Sequence, residues 1–304
     1  MKAIVLHQYG AADQLKYEEM PDPRPIQGEV LVQMAATSVN PIDFKIRSGA
    51  TKAYIQVQFP LILGRDAAGT VKELGPGVTK FKVGDRVMAL TNRTYAQLVV
   101  IKEKELAHIP EGMDTVQAAA LPLVTLTGEQ LITRGVKPAA GQVVLVTGAV
   151  GSVGRSAVYA LKKAGARVIA GVRGSQMDEA NSLGAEDVIS LEDDAQIHKY
   201  APYDDVADTV GHDTAAKLLA LVKPGGTFAS VLGEPQNRKD FPQVNVVPIR
   251  VAEENGAELE QLAQAVQDGK LRIPVGKTLP LEKMVEAHTL AEKGGIGKIL
   301  ITIS

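Results

Sequence analysis

Val-Thr-Gly-Ala-Val-Gly-Ser-Val-Gly, residues 146–154, places Gly148, Gly151 and Gly154 at intervals of three directly after the apolar run QVVLV, 142–146. A glycine-rich turn between a strand and a helix lets backbone N–H groups approach a pyrophosphate, and the helix N-terminus adds the positive end of its dipole. Glycines also mark ordinary tight turns, so the loop taken alone leaves its purpose open. Its surroundings narrow the choice. Strands are predicted at QVVLV (142–146), RVIAGV (167–172), DVIS (187–190), DDVAD (204–208) and GTFASVL (226–232), with helices near 152–164, 176–183 and 212–222. This alternation predicts an α/β fold with a parallel, doubly wound Rossmann sheet. Gly148, Ala149, Val150, Gly151, Ser152, Val153 and Gly154 are then the phosphate loop. Ser152 is expected to offer its N–H and hydroxyl to the pyrophosphate; the Gly-x-Ser-x-Gly elbow of a hydrolase is absent.

Outside this core the pattern changes. The first 110 residues alternate short apolar runs, such as LVQMAATSV (31–39) and KVGDRVMAL (82–90), with turn residues, which predicts a mostly β segment. Past Val251, LEQLAQAVQDG (259–269) puts Leu259, Leu262, Ala263 and Val266 on one helical face, with Gly269 as a C-cap. LRIPVGKTLPL (271–281) and KILITIS (298–304) read as strands again, so the tail is expected to rejoin the N-terminal β domain. Residues 1–118 with 252–304 form one predicted domain and 119–251 the other.

Composition agrees with two globular domains: 304 residues, 45% apolar and 22% charged. A net charge of −2 argues against a nucleic-acid partner. No apolar run reaches membrane-spanning length and the N-terminus lacks the apolar core of a secretion signal, so a cytoplasmic protein is expected. There is no cysteine, which excludes disulfides, thiolate nucleophiles and sulfur-ligated zinc. The histidines at 7, 108, 198, 212 and 288 show no ligand spacing.

The second strand bears on the cofactor. NAD sites carry an acid there for the ribose 2′-hydroxyl, whereas GVRGSQ (171–176) has none. Arg173 and Ser175 could instead bind a 2′-phosphate, through charge-assisted hydrogen bonds of roughly 1.5–3 kcal/mol each, so NADPH is expected. The competing possibility is that Arg173 is simply a solvated arginine.

GRDAAGTVKELGPGVTKFKVGDRV (64–87) resembles the GroES-like signature of the medium-chain dehydrogenase/reductase superfamily, and VNPIDFKIRSG (39–49) resembles its quinone oxidoreductase branch. AAALPLVTLTGEQLI, YDDVADTVG, LVKPGGTFASVLG and the closing GKILI follow in that family's order. The resemblance spans the whole chain. It implies a GroES-like, β-rich catalytic domain built from both chain ends, a Rossmann domain between them in sequence, and NADPH in the cleft. Zinc-dependent members have Cys where Asn40 stands and Gly-His-Glu where Gly64-Arg65-Asp66 stands, so no metal is expected. Without a Lewis acid worth several kcal/mol, the acceptor must take hydride readily, as quinones and enones do.

By the same resemblance, Asn40 and Asp43 line the cleft, Thr127 contacts the cofactor, Val210, Gly211, Leu232 and Gly233 pack on ribose and nicotinamide, and Lys298 approaches from the other domain. Each has a structural alternative: a turn before Pro41 for Asn40, a helix cap for Asp43, helix packing for Thr127, tight turns for the glycines, solvation for Lys298. Tyr54 carries the nearest phenolic hydroxyl in sequence to Asn40 and Asp43 and is a candidate proton donor. Two departures from the family affect the pocket: MALTNRTYAQLVV is short, and Leu191 replaces a tyrosine that stacks near the adenine. The leading expectation is a quinone reductase, followed by an enone or alkenal reductase and by a non-catalytic NADPH-binding protein. QVNVVPIRV (243–251) lies where the family pairs edge strands, so a homodimer is expected.

Overall fold

A computed structural model describes residues 1–252 and 255–304. The chain divides into two compact units, one of Met1–Leu123, Ala252–Gly269 and Ile273–Ser304, the other of Val124–Val251 and Lys270–Arg272.

The second unit is built on a six-stranded parallel sheet: β1 (Val143–Thr147), β2 (Arg167–Val172), β3 (Asp187–Ser190), β4 (Tyr203–Asp208), β5 (Val222–Ser230) and β6 (Asn245–Pro248). Their spatial order is β3-β2-β1-β4-β5-β6, all parallel, the doubly wound arrangement of nucleotide-binding sheets. Side chains alternate between faces along each strand, so β1 sends Val144 and Val146 to one core with Val168 and Ala170, and Leu145 to the other with Ile169, Val206 and Phe228. Both faces are covered, which is why the strands read as continuous apolar runs.

Element boundaries depart from the pattern in places. β5 begins at Val222 and ends at Ser230, because the Ser230 hydroxyl accepts the Leu232 N–H and turns the chain. The segment expected as a helix at 176–183 is a 3₁₀ turn, Gly174–Gln176, followed by a short helix, Met177–Asn181. Of 243–251, only Asn245–Pro248 is strand, at the outer edge of the sheet.

In the first unit the long strand Glu29–Val39 is the axis. It pairs antiparallel with Asp66–Leu74, with Leu98–Lys102 and with the closing strand Lys298–Thr302, whose other neighbour is Val275–Pro280. One helix, Pro41–Ser48, lies within the segment read as mostly β, and another, Met284–Lys293, fills the stretch between the two predicted C-terminal strands. The first is started by local chemistry: Pro41 at the first position needs no N–H partner, and the Asp43 carboxylate accepts the Asn40 N–H at 2.8 Å. It stops at Gly49, whose φ of 82° is left-handed. Among the described residues no helix is long and apolar enough to cross a membrane.

Candidate dinucleotide loop and polar cluster

At the C-terminal end of β1 the glycine loop runs into the helix Ser152–Lys163. Gly148 turns the chain at φ 61°, and Gly151 N–H closes the turn on the Gly148 carbonyl at 2.9 Å. A Cβ at Gly154 would lie 2.8 Å from Ala149 Cα and closer still to the Gly148 carbonyl oxygen, both rigid backbone, so only glycine lets the helix start this near the strand. Gly151 is exposed and is the N-cap, yet contributes no side-chain cap to the first turn. Open backbone with helix N–H groups behind it fits a pyrophosphate. The Arg155 Nε–H donates to the Val150 carbonyl at 2.9 Å and fixes the loop from below.

Sequence reasoning missed the residue that organises the neighbouring strand ends. Asp208, fully buried at the end of β4, accepts Thr147 Oγ from β1 at 2.9 Å, Ser230 Oγ from β5 at 2.6 Å, and the N–H groups of Val210 and Gly211 at 3.1 and 3.0 Å. One carboxylate thus ties three strands together and shapes the turn that carries two candidate cofactor contacts. A Cβ on Gly148 would meet Val210 Cγ2 at 3.1 Å, and one on Gly211 would meet Leu232 Cδ1 at 2.6 Å, so loop, Val210, Gly211 and Leu232 gather at the C-terminal end of the sheet. Val210 and Leu232 stay 37% and 45% exposed, an apolar surface available to a ligand. Gly233 is half-buried beside them in sequence. Thr127 is buried in the helix Pro122–Gln130, which packs tightly on Ser152–Lys163, with Ser156 Oγ donating to the Thr125 carbonyl at 2.7 Å. Arg173 and Ser175 are exposed at the end of β2.

Asn40 and Lys298 meet in the first unit, in a cluster that Asp66 completes. Val39 pairs with Ile299 across the antiparallel ladder, which sets Asn40 against Lys298. Lys298 Nζ donates to Asn40 Oδ1 at 2.7 Å and to Asp66 Oδ2 at 3.2 Å. Asn40 Nδ2 donates to the same Asp66 oxygen at 2.7 Å, Ser38 Oγ donates to it as well, and Leu123 N–H donates to Asp66 Oδ1 at 2.7 Å. Asp66 is fully buried and Lys298 nearly so. Among the described residues no three His, Cys, Asp or Glu side chains are grouped to hold a metal ion. The available oxygens of Asn40 and Asp66 already face an ammonium group, and this donor set does not fit zinc.

Asp43 lies behind Asn40, at the end of a second buried chain of hydrogen bonds. Arg47 Nη1 donates to His288 Nδ1 at 3.4 Å, which leaves the histidine proton on Nε2, 3.2 Å from the Tyr95 oxygen; Tyr95 donates to Asp43 Oδ2 at 2.9 Å. The hydroxyl bonded to Asp43 is thus that of Tyr95, while Tyr54 is 59% exposed in the turn after Gly49. Asp43 Oδ1 is buried with no hydrogen-bond partner among the described residues. Burial pushes the Asp43 carboxyl up to about 6, with the Asn40 N–H and Tyr95 bonds opposing. Burial, then the Arg47 charge, pushes His288 down to about 3.

The two groups impose opposite pH dependences. The folded state binds more protons at Asp43 than the unfolded chain does, so this contribution to stability is present at low pH and lost as pH rises from 3.8 to about 6. The unfolded chain binds more protons at His288, so its contribution is present above 6.5 and lost as pH falls to about 3. From pH 4 to 6 the slopes, up to about 1.4 kcal/mol per pH unit each, offset one another. In Asp43→Asn the histidine slope is expected alone: relative to the parent, urea-unfolding stability should rise by roughly 1 kcal/mol per unit from pH 4 to 6. Parallel pH curves for variant and parent would refute it.

A glycine loop on a doubly wound sheet, in one chain with a β-rich unit carrying a buried polar cluster, is the plan of a two-domain dehydrogenase. Residues 26–111 match the alcohol dehydrogenase GroES-like domain, and residues 183–301 match the zinc-binding dehydrogenase family. The human mitochondrial NAD(P)H oxidoreductase RTN4IP1 is 30% identical, over 100% of this chain and 89% of the relative. The crystal structure of a quinone oxidoreductase from Coxiella burnetii superposes with a TM-score of 0.89 at 30% identity, covering 100% of this chain and 99% of that one. A mycobacterial structure complexed with NADPH gives 0.86 at 27% identity, covering 99% and 100%. The chain belongs to the medium-chain dehydrogenase/reductase superfamily, among the NAD(P)H quinone oxidoreductases.

Proposed function

We propose that the chain is a metal-free, NADPH-dependent reductase acting on quinones. The observation that carries this reading is the Lys298 ammonium, bonded to Asn40 Oδ1 and Asp66 Oδ2 at 2.7 and 3.2 Å, where zinc-dependent relatives place metal ligands. With no Lewis acid, the acceptor must spread the charge it gains over its own oxygens, which a quinone does. Bound NADPH would supply the hydride.

The loop from Gly148 to Gly154 would hold the pyrophosphate on exposed backbone, and Arg173 with Ser175 would hold the 2′-phosphate. Val210, Gly211, Leu232 and Gly233 would give ribose and nicotinamide an apolar shelf, and Thr127 would contact the cofactor. Asn40 and Lys298 present a fixed amide and a positive charge to an anionic oxygen, and Asp43 holds the Asn40 backbone in place. Tyr54, an exposed tyrosine of the same unit, remains the candidate proton donor. The outer strand Asn245–Pro248 supports a homodimer in the same reading.

The deciding measurement is NADPH consumption with 1,2-naphthoquinone against a short enone. Turnover of the quinone at a kcat/KM at least about tenfold above the enone is expected. Turnover of the enone alone would replace the quinone reading, and NADPH binding with no turnover of either would leave a non-catalytic binder.

A further inference from the structure

An acid from beyond β3 stands beside the end of β2, which has none of its own. Glu192 lies two residues past the end of β3, and its Oε2 accepts the Gly174 N–H at 3.0 Å, between Arg173 and Ser175. Strand pairing sets the geometry: Val172 lies in register with Ser190, Leu191 N–H donates to the Val172 carbonyl at 2.8 Å, and Glu192 N–H donates to Ser190 Oγ at 3.2 Å. The carboxylate is thereby turned back over the end of β2. Its acidic neighbours are committed elsewhere: Asp193 caps the helix Asp194–His198 through Ala195 and Gln196 N–H groups, and Asp194 pairs with Lys217. Gly174 has no side chain to shield its N–H, and a Cβ there would sit 3.4 Å from Glu192 Oε2.

We propose that Glu192 is the specificity-determining residue of the dinucleotide site, opposing Arg173 so that the chain accepts NADH as well as NADPH. The inference rests on the dinucleotide reading given above. A ribose 2′-hydroxyl can donate to the carboxylate as it would to an acid on β2. A 2′-phosphate, carrying about −1.5 to −2 charge, meets Arg173 favourably, but is repelled by Glu192 and competes with it for the Gly174 N–H. Both groups are exposed, so each effect is screened and neither cofactor is excluded.

The test is calorimetric binding of NADP⁺ and NAD⁺ to the full chain, with kcat/KM for both reduced forms alongside. In Glu192→Gln, NADP⁺ should bind about tenfold more tightly and NAD⁺ somewhat more weakly, with Glu192→Ser giving the same direction. Arg173→Asp should move the ratio the opposite way. The effect should shrink in 0.5 M salt, which a purely structural role would not produce. If the parent binds both dinucleotides and their ratio is unchanged in both Glu192 variants, the proposal is overturned while the dinucleotide reading stands. If the parent binds neither, both fall.

Discussion

Replacing Gly154 by alanine should weaken dinucleotide binding by about 100-fold or more and lower the melting temperature as well. The added Cβ meets Ala149 Cα at 2.8 Å and the Gly148 carbonyl oxygen more closely, and backbone cannot rotate away as a side chain can. The loop must open, and overpacking of this kind costs about 1–3 kcal/mol. Gly151→Ala separates the two effects. Its Cβ would meet only the Gly148 carbonyl oxygen, at 3.1 Å, and it points toward exposed space. Stability should therefore hold within about 0.5 kcal/mol while binding falls, because the methyl occupies the path of the phosphate. Calorimetric titration with thermal unfolding of both variants checks this. Unchanged affinity in both would remove the loop from the dinucleotide site.

Asp208→Ala is expected to cost about 3–5 kcal/mol of stability. It strips the acceptor from four donors at once, two hydroxyls and two backbone N–H groups, at the junction of β1, β4 and β5. Asp208→Asn keeps an oxygen for Thr147, Val210 and Gly211, and puts an amide against Ser230, whose hydroxyl can turn to accept. Its cost should be about 1–2 kcal/mol. Equal losses in the two variants, measured by urea unfolding, would show that the charge rather than the hydrogen bonds holds the junction.

Much of this was legible from residues near one another in sequence. The loop was read because its glycines, the strand before it and the helix after it lie within about 25 residues, and local sterics tie glycine spacing to backbone path. The Asn-Pro-x-Asp segment likewise carries its own helix start, and Asp43 does hold the Asn40 N–H. Asp208 was missed because an acid inside YDDVAD (203–208) resembles any polar residue near a strand end, and its four partners come from β1, β5 and the turn after β4. Glu192 was missed for a related reason. The acid was sought at the end of β2, and parallel pairing brings β3 beside it with an acid of its own. His288 looked like one of five scattered histidines, although it lies 193 residues from the tyrosine it touches.

The sequence by itself determined the family, the doubly wound sheet and the place of the phosphate loop, since periodicity and glycine spacing act over a few residues and survive translation into backbone geometry. Only the tertiary structure decided which charges face each other. Lys298 comes to Asn40 across 258 positions and to Asp66 across 232, through the pairing of the last strand with the long N-terminal one. Such encounters follow from the register of distant strands, and that register is fixed by the packing of whole sheet faces rather than by the residues that meet.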